Sequence, residues 1–255
     1  MSQILTETRE RVLRIEIARP EKKNSLTLDM YRAMADALDA AAAEAGVRAV
    51  LVHGARDCFT AGNDLKDFLE RPPHAGEEGP TFRFLRGLAQ FPKPLIAAVN
   101  GPAVGIGTTM LLHCDLVFAA PGARFQMPFV PLGLVPEAGS SFLLPRIAGY
   151  QRAAELLLLG QPFTADKAFA AGFVTEIVPE ADLFERARAA ALAIAALPPS
   201  AVRATKALMR QRVSGQVAAA MAEEGAEFRA RLRSPEAKEA MTAFFEKRKP
   251  DFSRF

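Results

Sequence analysis

Apolar and polar residues alternate along LRIEI (13–17), the period-two pattern of a strand with one buried face. From Leu28 the period lengthens: Leu28, Tyr31, Met34, Ala35, Leu38 and Ala42 recur at helical spacing, and Gly46 predicts where that helix stops. Three short apolar runs follow, VRAVLVHG, PLIAAVNG and CDLVFAA, each of which reads as a buried strand. Strand and helix signals alternating in this way predict an α/β architecture. From about Ala181 the strand signals cease. ADLFERARAAALAIAAL reads as a helix halted by Pro198 and Pro199, two Ala-rich helical segments come next, and Ser234 with Pro235 predicts the N-cap and first turn of the final helix. The pattern predicts a core over residues 1–195 and a helical C-terminal appendage over 196–255. ERPPHAGEEGP (70–80) is polar and rich in Pro and Gly, and predicts a mobile loop.

Composition narrows the function without naming it. Half of the 255 residues are apolar, enough for a sizeable core. Lys and Arg number 32 against 29 Asp and Glu, interspersed; the net charge of +3 leaves no nucleic-acid footprint and suits a phosphate-bearing small molecule. Cys58 and Cys114 stand in no metal-ligand or redox spacing and read as reduced thiols. No apolar run approaches the roughly 18 residues of a membrane span, the N-terminus carries no apolar signal region, and the final SRF is no targeting tripeptide. A cytoplasmic protein is expected, with no membrane partner.

The candidate chemistry lies in the glycine turns. NGPAVGIGTTMLLHCD (100–115) lacks the third glycine of a dinucleotide fingerprint and the Lys-Ser/Thr pair of a P-loop, which disfavours NAD and ATP. It reads either as a plain strand-to-helix turn or as a place where Gly105 and Gly107 let main-chain N–H groups approach a ligand oxygen acquiring charge. DCFTAGNDLKDF (57–68) repeats the theme at Gly62, with Asn63 and Asp64 readable as turn or cap residues. His53 and His113 sit in apolar contexts without metal-ligand spacing and read as core or capping groups, while His74 falls in the loop. Ser140 and Ser141 follow Gly139 without forming a nucleophile elbow.

Six motifs in order, RPEKKNSL, FTAGNDLKDF, KPLIAAVNGPAVGIGTTMLLHCDL, LGLVPEAGSSFLLPRIAG, ADKAFAAGFVTEIV and FFEKRKPDF, resemble the crotonase superfamily of enoyl-CoA hydratases and isomerases over nearly the whole chain. The resemblance implies a spiral of ββα units, a C-terminal helical region used in trimerisation, and acyl-CoA thioester substrates without a separate cofactor. It assigns the two oxyanion-hole N–H groups to Asn63 and Ile106. It sets Lys22, Lys23 and Asn24, together with Ala61, Asp64, Leu65 and Lys66, around the CoA nucleotide, with Lys247 reaching its phosphates from a neighbouring subunit. Gly105, Phe129, Leu132 and Pro136 are the further substrate- or CoA-binding positions it implies, with Phe129 helping to keep the pocket dry. A homotrimer or dimer of trimers is the implied assembly.

The two glutamates of the family's hydratases fall, by the same match, on Thr109 and Phe129. Neither side chain can activate water or deliver a proton as that pair does. One carboxylate remains, Glu137 in LGLVPEAGSS, readable as a favourable charge at a helix start or as an acid/base. Peroxisomal-type Δ3,Δ2-enoyl-CoA isomerases carry a glutamate at the matching place. Moving a double bond from C3 to C2 consumes no water, and one carboxylate suffices. The expected activity is therefore 3-enoyl-CoA to 2-enoyl-CoA isomerisation in fatty-acid-type metabolism. The alternatives are a hydratase-like lyase, a ring-type acyl-CoA isomerase, and a catalytically silent CoA- or RNA-binding member.

Overall fold

In the computed structural model, residues 3–70 and 79–255 are described. Most of the loop expected over 70–80, including His74, lies outside them. The chain runs β1 (Ile4–Arg9), β2 (Val12–Ile17), α1 (Leu28–Ala43), β3 (Ala49–Gly54), α2 (Leu65–Glu70), α3 (Pro80–Gln90), β4 (Leu95–Val99), β5 (Pro102–Val104) and α4 (Ile106–Thr109). It continues through β6 (Leu116–Ala119), β7 (Arg124–Gln126), α5 (Ser140–Ala148), α6 (Tyr150–Leu159), β8 (Phe163–Thr164), α7 (Ala165–Ala170) and β9 (Glu176–Ile177). Four helices close it: α8 (Leu183–Ala196), α9 (Pro199–Arg210), α10 (Ser214–Arg231) and α11 (Pro235–Phe245).

The expected α/β architecture is what forms. Six strands join in the order β1-β2-β3-β4-β6-β9, antiparallel only at β1–β2, and a second sheet orders β5-β7-β8. The two apolar runs read as doubly buried strands, β3 and β4, sit in the middle of the large sheet, and their side chains divide by parity. Val50, Val52, Leu95, Ala97 and Val99 point into the main core with α1 and α3, whereas Ala49, Leu51, Ile96 and Ala98 face α8. Helix α8 meets them with Leu183, Ala187, Ala191 and Ala195, one residue per turn on a single face. Thr27 caps α1, its hydroxyl accepting from Met30 N–H at 3.3 Å.

The C-terminal region is helical, and its helices pack back on the rest of the chain. α9 is tied to the core by Lys206, whose Nζ donates to Asp115 Oδ2 at 2.7 Å and to Lys93 O at 2.6 Å. α10 packs on α3 and α5, and α11 packs on a short 3-10 turn at Val130–Leu132. That last contact depends on Gly133, at φ +68°, where a Cβ would lie 2.6 Å from the Ala237 nitrogen. The physical reason is burial: Val217 and Phe228 of α10 and Ala237, Ala240 and Met241 of α11 are covered by this chain's own core.

Candidate active site

The two glycine turns meet. Thr60 forms a parallel bridge to Ala103, and a Cβ on Gly107 would lie 2.6 Å from the Thr60 methyl, so only glycine permits this approach. Gly62, at φ +85°, similarly leaves room for the Val104 carbonyl, 2.6 Å from where its Cβ would be. Asn63 is bridged in parallel to Leu26, and the bonds run from its neighbours: Leu26 N–H donates to Gly62 O, and Asp64 N–H donates to Leu26 O. In such a bridge the central residue's own N–H points away from the partner strand. Ile106 opens α4 after Gly105 (φ +57°, ψ −118°), and its N–H has no carbonyl one turn earlier to bond. The N–H groups of Asn63 and Ile106 are thus both directed away from the surrounding main-chain bonding, as is that of Gly107 in the same first turn of α4.

Glu137 and Asn63 line one pocket whose walls are otherwise mainly apolar, with Leu28, Leu85, Met221 and Phe228 among them. Glu137 as a residue is half-buried on the lining of this space. Burial pushes its pKa up to about 8; the Thr109 hydroxyl, donating to Glu137 Oε1 at 2.5 Å, opposes the rise, and the charge of Glu224 adds to it. Its loop is held from several directions. Ala138 (φ +63°) and Gly139 (φ +70°) are both left-handed, and Ser140 Oγ donates to Glu137 O at 2.6 Å. His113 Nε2 lies 2.7 Å from Ala138 O, which makes that nitrogen the protonated one; burial pulls the imidazole down to about 4, so it is a neutral brace.

The remaining expected residues separate into three groups. The turns at 22–24 and 61–66 are joined, Ala61 N–H donating to Lys23 O at 2.9 Å, with Lys22, Lys23 and Lys66 exposed and Leu65 half-buried at the start of α2. Two residues have other occupations. Asn24 is fully buried, its amide donating to Cys58 O and Ala55 O and accepting from Arg19 N–H, so the side chain staples its own turn rather than facing a ligand. Phe129 lies in the main core and not on the pocket lining. Asp64 caps α2 and pairs with Arg19 at 2.6 Å; desolvation would raise its carboxyl, but the Arg19 bond and the N–H groups of Asp67 and Lys66 hold it below the ordinary value. Leu132 and Pro136 are half-buried beside the Glu137 loop, and Lys247 is exposed just beyond α11.

Three residues of the site were not anticipated. Tyr31, read only as a core position of α1, donates its hydroxyl to Asn63 Oδ1 at 2.5 Å, and burial together with the charge of Glu137 raises its pKa. A tyrosine on a fully apolar stripe needs a partner for its hydroxyl, and that was the available signal. Thr109, noted for what it could not do, is the hydrogen-bond partner of Glu137. Glu224 interrupts the apolar stripe Val217, Met221, Phe228 of α10, a carboxylate at a buried position. Among the described residues no cluster of His, Cys, Asp and Glu could hold a metal ion, and no helix is long and apolar enough to cross a membrane. Both cysteines are free thiols, Cys58 pushed up to about 11 and Cys114 to about 12 by burial.

The family model described as enoyl-CoA hydratase/isomerase matches residues 7–254. The chain is 37% identical over 243 residues to the human enoyl-CoA delta isomerase 2, covering 93% of this chain but only 61% of that protein's length. It is 33% identical over 252 residues to the 2,3-dehydroadipyl-CoA hydratase of Escherichia coli, covering 99% of both. A crystal structure of an enoyl-CoA hydratase/isomerase from Pseudoalteromonas atlantica superposes with a TM-score of 0.95 at 42% identity, over 99% of this chain and all of the other. The crotonase fold expected from the motifs is thereby shown, and the chain belongs to the enoyl-CoA hydratase/isomerase family.

Proposed function

We propose that the protein is a Δ3,Δ2-enoyl-CoA isomerase in which Glu137 is the single acid/base. The observation that carries this reading is the inventory of the pocket. Among its described lining residues only Glu137 and Glu224 carry ionisable side chains, and both oxygens of Glu224 already accept main-chain hydrogen bonds. One carboxylate with a proton affinity matched to neutral pH suits a reaction that takes a proton from C2 and returns it at C4. The thioester oxygen gains charge as C2 is deprotonated, and the N–H groups of Asn63 and Ile106 would stabilise it, by about 3 kcal/mol each if they resemble other such donors. Thr109 orients the carboxylate, Tyr31 holds the Asn63 side chain, and the apolar walls exclude water that would otherwise add to the double bond. The exposed Lys22, Lys23 and Lys66 stand where the joined turns would receive the CoA phosphates.

Product analysis tests this. Incubated with a 3-enoyl-CoA, the protein should yield the 2-enoyl-CoA without 3-hydroxyacyl-CoA, and it should leave a 2-enoyl-CoA unhydrated. Rapid hydration of 2-enoyl-CoA would instead identify a hydratase.

A further inference from the structure

Helix α10 enters the pocket with a carboxylate where its stripe calls for an apolar side chain. Glu224 is 7% exposed. Its Oε2 accepts from Gly139 N–H at 2.6 Å; its Oε1 accepts from Ser141 N–H at 2.8 Å and from Ser141 Oγ at 2.5 Å. These are the first donors of α5, whose own N-cap, Gly139, brings no side chain to satisfy them. A residue from another helix therefore caps α5, and the capped turn is the one that presents Glu137. Burial raises the Glu224 pKa, and the bonds from the Ser141 hydroxyl and the Ser141 and Gly139 N–H groups oppose that rise by favouring the ionised form, the form whose two oxygens each fit a main-chain donor.

We propose that Glu224 is a positioning residue for the reaction: it clamps the left-handed Ala138–Gly139 turn and places a fixed negative charge in the pocket that Glu137 shares. The inference rests on the reading of Glu137 as the acid/base. A fixed anion makes Glu137 a stronger base toward the C2 proton, and the clamp keeps its carboxyl aimed as the proton is lost and returned. None of the surrounding described groups forms an ion pair with that charge, although Arg146 and Arg229 keep their own positive charge over aromatic rings. Thr109 of α4 and Tyr31 of α1 are neutral, and His113 is held neutral by burial. Arg83 of α3 pairs with Asp36 and Asp39, Arg146 of α5 lies over the Phe142 ring, and Arg229 of α10 lies over the Phe82 ring. Among the described residues Glu224 has no ion-pair partner.

The test uses the full chain with Glu224→Gln, Glu224→Asp and Ser141→Ala. Ionisation of Glu137 is read by infrared titration of its carboxyl band, with Glu137→Gln as the reference, alongside kcat and KM for 3-enoyl-CoA across pH and the thermal midpoint. Glu224→Gln should lower the Glu137 midpoint by roughly one pH unit and move the acid limb of kcat/KM the same way. Its kcat should fall about tenfold while KM stays within about twofold. Glu224→Asp, which keeps the charge, should return the midpoint toward that of the wild type. A midpoint unmoved in Glu224→Gln, with only a lower thermal midpoint, would make Glu224 a helix cap and overturn the proposal. If Glu224→Gln does not fold, Ser141→Ala decides: a kcat reduced about threefold supports the clamp, and an unchanged kcat overturns it. The infrared midpoint needs no turnover, so a wild-type protein that fails to isomerise 3-enoyl-CoA would remove the reaction assigned to Glu137 while the coupling to Glu224 is still read separately.

Discussion

Glu137 is a carboxyl whose surroundings act in opposite directions, and each can be removed singly. The Thr109 hydroxyl favours the ionised form, so Thr109→Val, of nearly equal volume, should raise the Glu137 midpoint above about 8 and move the acid limb of kcat/KM to higher pH. A limb that stays or moves down would remove Thr109 from the account. The raised pKa also predicts how stability varies with pH. The folded state holds the Glu137 proton up to about 8, whereas the unfolded chain releases it near the ordinary value of 4.5. Its contribution is complete below that lower value and is lost as pH rises through the upper one. Denaturant titrations of wild type and Glu137→Gln should therefore diverge across this window, the wild type losing up to a few kcal/mol relative to the variant, less whatever the solvent in the pocket screens. Parallel curves would show that Glu137 is not desolvated as described.

At the scale of elements, what was legible depended on whether a signal was local. The helix from Leu28 and the strands β3 and β4 announce themselves by period and by their glycine stops, because each buries its own pattern against a wide surface. β1 (ILTETR) buries one residue of six and carries no alternation to read. β5, β7 and β8 are two or three residues long and are fixed by tertiary pairing, and β5 lies within the first glycine turn. The two glycine turns could be picked out, but not that Gly107 lets one pack on the other. Glu137 was legible only through its motif, and Glu224 not at all, since a cap supplied from 85 residues away leaves no local spacing. The fold-back of α11 gives this scale its own test. Gly133→Ala would place a methyl 2.6 Å from the Ala237 backbone at a left-handed position, where neither side can yield cheaply. A loss of about 2–3 kcal/mol in unfolding free energy is expected, with the thermal midpoint lowered accordingly. An unchanged midpoint would mean that α11 is not held as described.

Over the whole molecule, burial leaves apolar groups that this chain does not cover. Met241 is buried, the exposed apolar surface of α11 is carried by Phe244 and Phe245, and a second set comprises Tyr150, Leu158, Leu159 and Phe169 on α6 and α7. We expect self-association through these faces, with light scattering giving three or six copies of the 27.5 kDa chain; a monomer at micromolar concentration would contradict it. The proposed isomerase reading stands on Glu137 as the acid/base in the pocket it shares with Asn63, with the N–H groups of Asn63 and Ile106 as the proposed oxyanion donors. Its most direct test is Glu137→Gln, which keeps shape and removes the proton chemistry, assayed for turnover of 3-enoyl-CoA and for acyl-CoA affinity by calorimetry. The account predicts kcat reduced by about 10²–10⁴ with affinity nearly unchanged. A variant that turns over 3-enoyl-CoA at close to the wild-type kcat would contradict it.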